Sequence, residues 1–208
     1  MQVGWKDYIQ DGLIFMLDGI IKGENVGDWT DLIGGMRFIN HGAVEVDDGF
    51  VFNGSEYMLG SSGVVYDSAT YTIEVVIKSF TRSNWILCTP SVNGYYEGFS
   101  VCFNKGGIYY SKINVYGYSL PTADSATISL SSANGYCNKE QLYNISKDTF
   151  SDRNVWVLGA RSGYPTPTTP RNFFKGTICA VRIYNRTLTA KEIVYNQQID
   201  SDRFNLGL

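Results

Sequence analysis

In Tyr71-Thr72-Ile73-Glu74-Val75-Val76-Ile77-Lys78 apolar and polar side chains take turns. Tyr71, Ile73, Val75 and Ile77 fall on one face, and Thr72, Glu74 and Lys78 on the other. Successive strand residues point to opposite faces, so this period of two predicts a half-buried antiparallel strand with one wet side. Upstream, Leu13-Ile14-Phe15-Met16-Leu17 reads as a strand closed by Asp18-Gly19. In Trp29-Thr30-Asp31-Leu32-Ile33-Gly34-Gly35, Asp31 can accept from its own backbone and the glycines permit a reversal. Phe50-Val51-Phe52 runs into the turn dipeptide Asn53-Gly54, and Tyr57-Met58-Leu59 is the next short strand.

Downstream, Trp85-Ile86-Leu87-Cys88 and Phe99-Ser100-Val101-Cys102-Phe103 continue the series across a loop holding Asn93-Gly94-Tyr95-Tyr96. Val155-Trp156-Val157-Leu158 and Thr177-Ile178-Cys179-Ala180-Val181-Arg182-Ile183-Tyr184 follow near the end. The alternation slips near Ala180-Val181, which predicts a bulge or burial on both faces. One helix starts after Leu188: Thr189 is its N-cap, Glu192 closes a capping box, and Leu188 with Ile193 forms a hydrophobic staple. It is expected to run to about Asp202, with Ile193, Val194 and Ile199 as apolar contacts. Many strands and one terminal helix make an all-β fold, a sandwich rather than an alternating α/β chain.

The composition agrees. With 208 residues, 44% of them hydrophobic, the chain can fill one sandwich core as a single domain. Its 22 glycines and 15 tyrosines suit short strands joined by tight turns. Seventeen basic against twenty acidic residues, without a Lys/Arg cluster, exclude a phosphate-tracking groove, so nucleic acid is not an expected partner. No apolar run approaches the ~20 residues of a membrane span, so no membrane insertion is expected. Met1-Gln2-Val3-Gly4-Trp5-Lys6-Asp7-Tyr8 has neither a basic head nor a continuous apolar stretch, so no secretion signal is visible. Cys88, Cys102, Cys137 and Cys179 form no C-x-x-C pair and have only His41 as an imidazole companion, which argues against zinc. Reduced, buried cysteines are the favoured reading; a disulfide between Cys88 and Cys102 on neighbouring strands is the alternative.

Several of these segments follow one another at a familiar spacing: Leu13 to Gly19, Trp29-Thr30-Asp31-Leu32, Phe52-Asn53-Gly54, Tyr71 to Val75, and Leu158-Gly159-Ala160-Arg161. Phe174-Lys175-Gly176-Thr177-Ile178 through Arg186, and above all Leu188-Thr189-Ala190-Lys191-Glu192-Ile193, complete the set. Together they resemble the laminin-G-like, concanavalin-A-like lectin/glucanase superfamily, in the form found in bacterial surface and phage proteins. The resemblance covers roughly residues 13–80 and 155–204. The stretch at about 81–154 is atypical and insertion-like. The resemblance implies a two-sheet antiparallel jelly roll with one curved face and one short C-terminal helix. It leaves function open, because that fold hosts lectins, hydrolases, adhesion modules and structural parts.

The glucan-hydrolysing branch of that superfamily carries Glu-x-Asp-x-(x)-Glu on one strand, because retaining chemistry needs two carboxylates about 5 Å apart. Glu45-Val46-Asp47-Asp48 comes nearest but lacks the second Glu, and Val76 stands two residues after Glu74. A Ser or Cys nucleophile would need a base, and the lone His41 lies in Asn40-His41-Gly42, a turn where an exposed or capping role is expected. No catalytic residue is assigned. Ca2+ is a candidate cofactor, since Asp18, Asp28, Asp31, Asp47 and Asp48 fall in expected turns, but turn aspartates usually accept from backbone amides and no ligand set is assigned.

Aromatic residues crowd the atypical middle: Trp85, Tyr95, Tyr96, Tyr109, Tyr110, Tyr116, Tyr118 and Tyr136, interleaved with Asn93, Asn104, Asn114 and Asn134. Sugar C–H faces stack on aromatic rings while their hydroxyls seek amides. Adjacent pairs such as Tyr95-Tyr96 and Tyr109-Tyr110 cannot both point inward from a regular strand, whereas Trp85 is expected in the core. Tyr95, Tyr96, Tyr109, Tyr110, Tyr116, Tyr118, Asn93 and Asn114 are therefore the candidate ligand-binding residues. The expected function is non-catalytic recognition of a glycan or glycoprotein surface. The alternative is a phage virion component, a capsid decoration or fibre part, whose tyrosines meet other subunits in an oligomer. Either places the chain on an extracellular surface or a virion.

Overall fold

Strand-forming segments with one apolar face must bury it, and here they do so by closing two sheets on each other. The computed structural model describes residues 4–61, 70–81, 84–90, 97–104, 107–110, 113–114, 124–131, 135–142, 155–161 and 169–207. A 3-10 turn at Trp5–Asp7 precedes β1 (Leu13–Asp18), β2 (Trp29–Thr30), β3 (Arg37–His41), β4 (Val44–Val46), β5 (Gly49–Asn53), β6 (Tyr57–Ser61), β7 (Thr72–Lys78) and β8 (Asn84–Pro90). Then come β9 (Glu97–Asn104), β10 (Gly107–Tyr110), β11 (Ile113–Asn114), β12 (Ser125–Ser131), β13 (Gly135–Cys137), β14 (Glu140–Leu142), β15 (Val155–Leu158), β16 (Lys175–Tyr184) and the helix α1 (Ala190–Phe204).

Among the described residues the strands form two eight-stranded sheets. The first runs β14-β13-β12-β7-β16-β5-β4, with β1 also on β16; the second runs β11-β10-β9-β8-β15-β6-β3-β2. All strand pairs are antiparallel. Ten-residue β16 is long enough to serve two partners on one edge, β5 along its first half and β1 along its second. Its register on β7 shifts between Ile178 and Ala180, the bulge expected from the broken alternation.

The core between the sheets is aromatic. Phe15 stacks on Trp156 with ring centroids 5.6 Å apart, and Trp29 leans on Phe50 at 5.1 Å. The buried indole of Trp29 keeps its polar end satisfied by donating to the Asp18 carbonyl at 3.1 Å. Gly159 is required where β15 ends: its φ is +75°, and a Cβ there would meet the Phe52 ring at 2.3 Å. The fold is thus the expected sandwich with one C-terminal helix.

That helix corrects one expectation. The outer face of β7 is not wet: Thr72 and Glu74 are buried, because α1 and the segment around Tyr8 cover it. The capping box is formed, with Thr189 N–H donating to Glu192 Oε2 at 2.8 Å and Glu192 N–H to Thr189 Oγ1 at 3.3 Å. Leu188 and Ile193 pack together with Tyr136 and Tyr184, as a staple should. Val194, however, points to solvent, and the helix runs two residues beyond Asp202 so that Phe204 seats against Val76, Cys179 and Ala180. The four cysteines are buried thiols, none of them in a disulfide. Cys88 pairs in register with Ser100 and Cys102 with Trp85, so the two thiols do not stand opposite each other and no disulfide joins them. Among the described residues no helix is long and apolar enough to cross a membrane.

Candidate functional site: two outer faces

Each sheet has an outer face, and the two carry different chemistry. On the first sheet, Glu74 of β7 accepts from Arg182 Nε at 2.8 Å, Asn196 Nδ2 at 2.9 Å and Ser129 Oγ at 2.9 Å. Arg182 of β16 donates through both terminal nitrogens to Asp200 of α1, each at 2.7 Å, in a bidentate pair. The Tyr8 hydroxyl donates to Asp200 Oδ1 at 2.8 Å, and the Arg182 guanidinium lies 4.1 Å from the Tyr8 ring centre. Asn196 also donates to the Tyr184 hydroxyl at 3.0 Å. Nearby, Arg203 pairs with the buried Asp18, which also accepts from the Ile20 and Ile21 amides. Burial pushes the Glu74 carboxyl up, and Arg182 opposes that shift. Glu74, Arg182 and Asp200 are at most 2% exposed, so no solute reaches them. Their chemistry is spent on holding α1 to the sheet.

The second sheet's outer face is open along one band. His41, at the exposed end of β3, stacks on Tyr57 of β6 with centroids 4.4 Å apart and planes 11° from parallel. Tyr57 faces Phe173 at 6.4 Å. Phe173 is bridged through its backbone to Trp85 of β8, and the Arg161 guanidinium lies 5.1 Å from the Trp85 ring centre. Arg161 in turn forms an antiparallel bridge with Arg171, with reciprocal N–H to O=C bonds of 2.8 and 3.0 Å. Asn172, at φ +54°, is the left-handed residue between these two bridges, which face different strands. Tyr57, Phe173, Trp85 and Arg161 are half-buried, and His41 and Arg171 are exposed. Ile39, 52% exposed and in register with Leu59, extends the band along β3 and β6. The result is a row of rings ending in two guanidinium groups.

The sequence-predicted residues fall as follows. Tyr95, Tyr96, Tyr116, Tyr118 and Asn93 lie outside the described residues. Tyr109 and Tyr110 belong to β10 and Asn114 to β11, strands beyond β8 and β9 in the second sheet. Tyr109 pairs with Asn114 and Cys102, and Tyr110 with Ile113 and Val101. Trp85 is not a core residue: β8 bulges between Trp85 and Leu87, and Trp85 stays half-buried on the open band. His41 is exposed, as its place beside Gly42 suggested.

Four of the five aspartates considered for calcium, Asp18, Asp28, Asp31 and Asp48, are committed elsewhere. Asp31 accepts from the amides of Met16, Ile33 and Gly34 at 2.7, 3.1 and 2.7 Å, and burial is the main cause raising its carboxyl. Asp28 holds Arg37 and the Asn40 amide, and Asp48 holds Lys78. Among the described residues no three His, Cys, Asp or Glu side chains converge as a metal set. Glu45, on β4, meets only Lys22 at 3.7 Å among the described ion pairs.

Phe173, Tyr57, Arg161 and Arg171 were missed in the sequence. Phe173-Phe174 is an adjacent aromatic pair like Tyr109-Tyr110, and the same alternation rule would have found it. Phe174 is fully buried and Phe173 is not.

Neither a protein-family model nor a curated protein matches the sequence. Solved structures do resemble the fold. A trans-sialidase-active mutant of the Trypanosoma rangeli sialidase aligns over 90% of this chain at 16% identity and a TM-score of 0.65. The chain spans only 33% of that sialidase. Domain 4 of AbnA, an extracellular arabinanase of family GH43 from Geobacillus stearothermophilus solved with arabinotriose, aligns over 87% of this chain and 96% of its own length, at 16% identity and a TM-score of 0.59. The binding domain of botulinum neurotoxin DC, solved with rat synaptotagmin II, aligns over 93% of this chain and 52% of its own, at 14% identity and 0.58. At these identities the likeness is one of fold alone, a β-sandwich.

Proposed function

We propose that this chain is a non-catalytic recognition module that binds carbohydrate or glycoconjugate on the open face of its second sheet. The observation that carries the reading is the ring row His41–Tyr57–Phe173–Trp85, left accessible where the opposite face is sealed. Half-buried rings held by neighbours offer a pre-ordered apolar surface for sugar C–H faces at little entropic cost. The tyrosines Tyr95, Tyr96, Tyr109, Tyr110, Tyr116 and Tyr118, with Asn93 and Asn114, belong to the same proposal, since they follow Trp85 in the chain and part of them sits on strands of the same sheet. Domain 4 of the arabinanase, similar in extent and solved with a trisaccharide, supports a saccharide rather than another small ligand.

The test is a glycan array followed by titration of the hits. Tyr57→Ala and Trp85→Ala are expected to weaken binding about tenfold or more while the proteins stay folded, as loss of a central aromatic contact does. No hits on the array, or hits unaffected by both variants, would remove this reading.

A second reading is subunit contact in a virion component. The exposed Ile39 and Val44, on either side of the Gly42-Ala43 link, favour it by offering apolar surface to a neighbour. A monomeric mass in solution that persists at high concentration counts against it.

A further inference from the structure

Resting on the reading that the open face binds saccharides, we infer that its ligand is an acidic saccharide, with a carboxylate received by Arg161 and Arg171 while a sugar ring stacks on Trp85 or Phe173. Arg161 and Arg171 occupy directly opposed positions of an antiparallel bridge, bonded reciprocally at 2.8 and 3.0 Å. Opposed residues of such a pair have Cα atoms about 5.5 Å apart and present their side chains to the same side. An anion placed between them would meet both positive charges. Among the described residues no carboxylate pairs with Arg171, which is exposed to solvent. The guanidinium of Arg161 lies 5.1 Å from the Trp85 ring centre, so the cationic end and the stacking surface are one continuous feature. Guanidinium groups match carboxylates with two parallel N–H donors, which a lysine cannot do. The chain as a whole carries a formal charge of −3, so attraction of an anion here would come from these two arginines and not from a general positive field.

Two matched probe pairs test this: trigalacturonate against its methyl ester, and 3′-sialyllactose against lactose. Each pair differs in its carboxylate charge, though the second also differs in size. Titrations at low and at near-physiological salt are expected to show an acidic member binding at least about tenfold more tightly than its neutral partner, an advantage that shrinks as salt rises. Arg171→Ala should erase that preference while leaving the Tm and any neutral-sugar binding in place, and Trp85→Ala should weaken both members. Equal binding within each pair, or an acidic preference that survives Arg171→Ala, overturns the inference. So does an array whose hits are all neutral, which leaves the recognition reading standing. An array with no hits removes both.

Discussion

The sandwich has one outer face that is sealed beneath α1 and one that is open along a single band, and the two use polar groups in opposite ways. Beneath α1, Glu74, Arg182 and Asp200 are nearly dry; Arg182 donates to both carboxylates, which also accept from neutral donors, Glu74 from Asn196 and Asp200 from Tyr8. A buried ionic cluster of this kind gains little net stability over apolar packing, yet removing one member leaves a charge stranded. Its value is in fixing one seat for the helix. Across the molecule, His41, Tyr57, Phe173 and Trp85 keep apolar rings in contact with water, with Arg161 and Arg171 at one end. Polar groups hidden and rings displayed is the inverse of what stability alone would choose, and the displayed side is where a partner is expected.

The contrast breaks most readily at Arg182. Arg182→Ala strands two carboxylates and is expected to lower stability by about 3–5 kcal/mol, read from denaturant midpoints. Glycan binding by any folded remnant should be unchanged. A cost below about 1 kcal/mol would mean the network is not what seats the helix. Next in size is the cap. Thr189→Ala removes the acceptor for the Glu192 amide and is expected to cost about 0.5–2 kcal/mol, again without effect on binding.

Smallest is a pH effect at the same helix start. The hydrogen-bonded Arg186 guanidinium pulls the Glu192 carboxyl down from 4.5 to about 2. A depressed carboxylate contributes stability that is present above its unfolded value and lost as pH falls through its folded one. The contribution should therefore fade between pH 4.5 and about 2, and Glu192→Gln should flatten that part of the stability curve. An identical slope in the variant would assign the acid sensitivity to other carboxylates. Because both partners are partly exposed, salt should shrink the effect.

Local patterns were readable in the sequence wherever one residue's role followed from its neighbours. The capping box at Thr189 and Glu192, the staple at Leu188 and Ile193, and the bulge beside Ala180 all depend on short spacing rules. Glu74 was misread for the opposite reason. Its alternation with Ile73 and Val75 is a real strand signal, but whether its face meets water depends on a helix more than a hundred residues later. A charged residue that is covered looks the same in sequence as one that is solvated. The site was harder still. The open band gathers β3, β6, β8 and the stretch around Arg171, so no window of sequence contains it. The tyrosine-rich middle drew notice because it is local, whereas Phe173 and the Arg161–Arg171 bridge become visible only through pairing.

The most direct test of the contrast is residue-resolved NMR mapping of a saccharide taken from the array hits. Amide and side-chain shifts should move around His41, Tyr57, Trp85, Arg161 and Phe173, while Glu74, Arg182 and Asn196 stay still. Shifts concentrated on α1 and the sheet beneath it, with the ring row unmoved, would contradict the assignment of recognition to the open face.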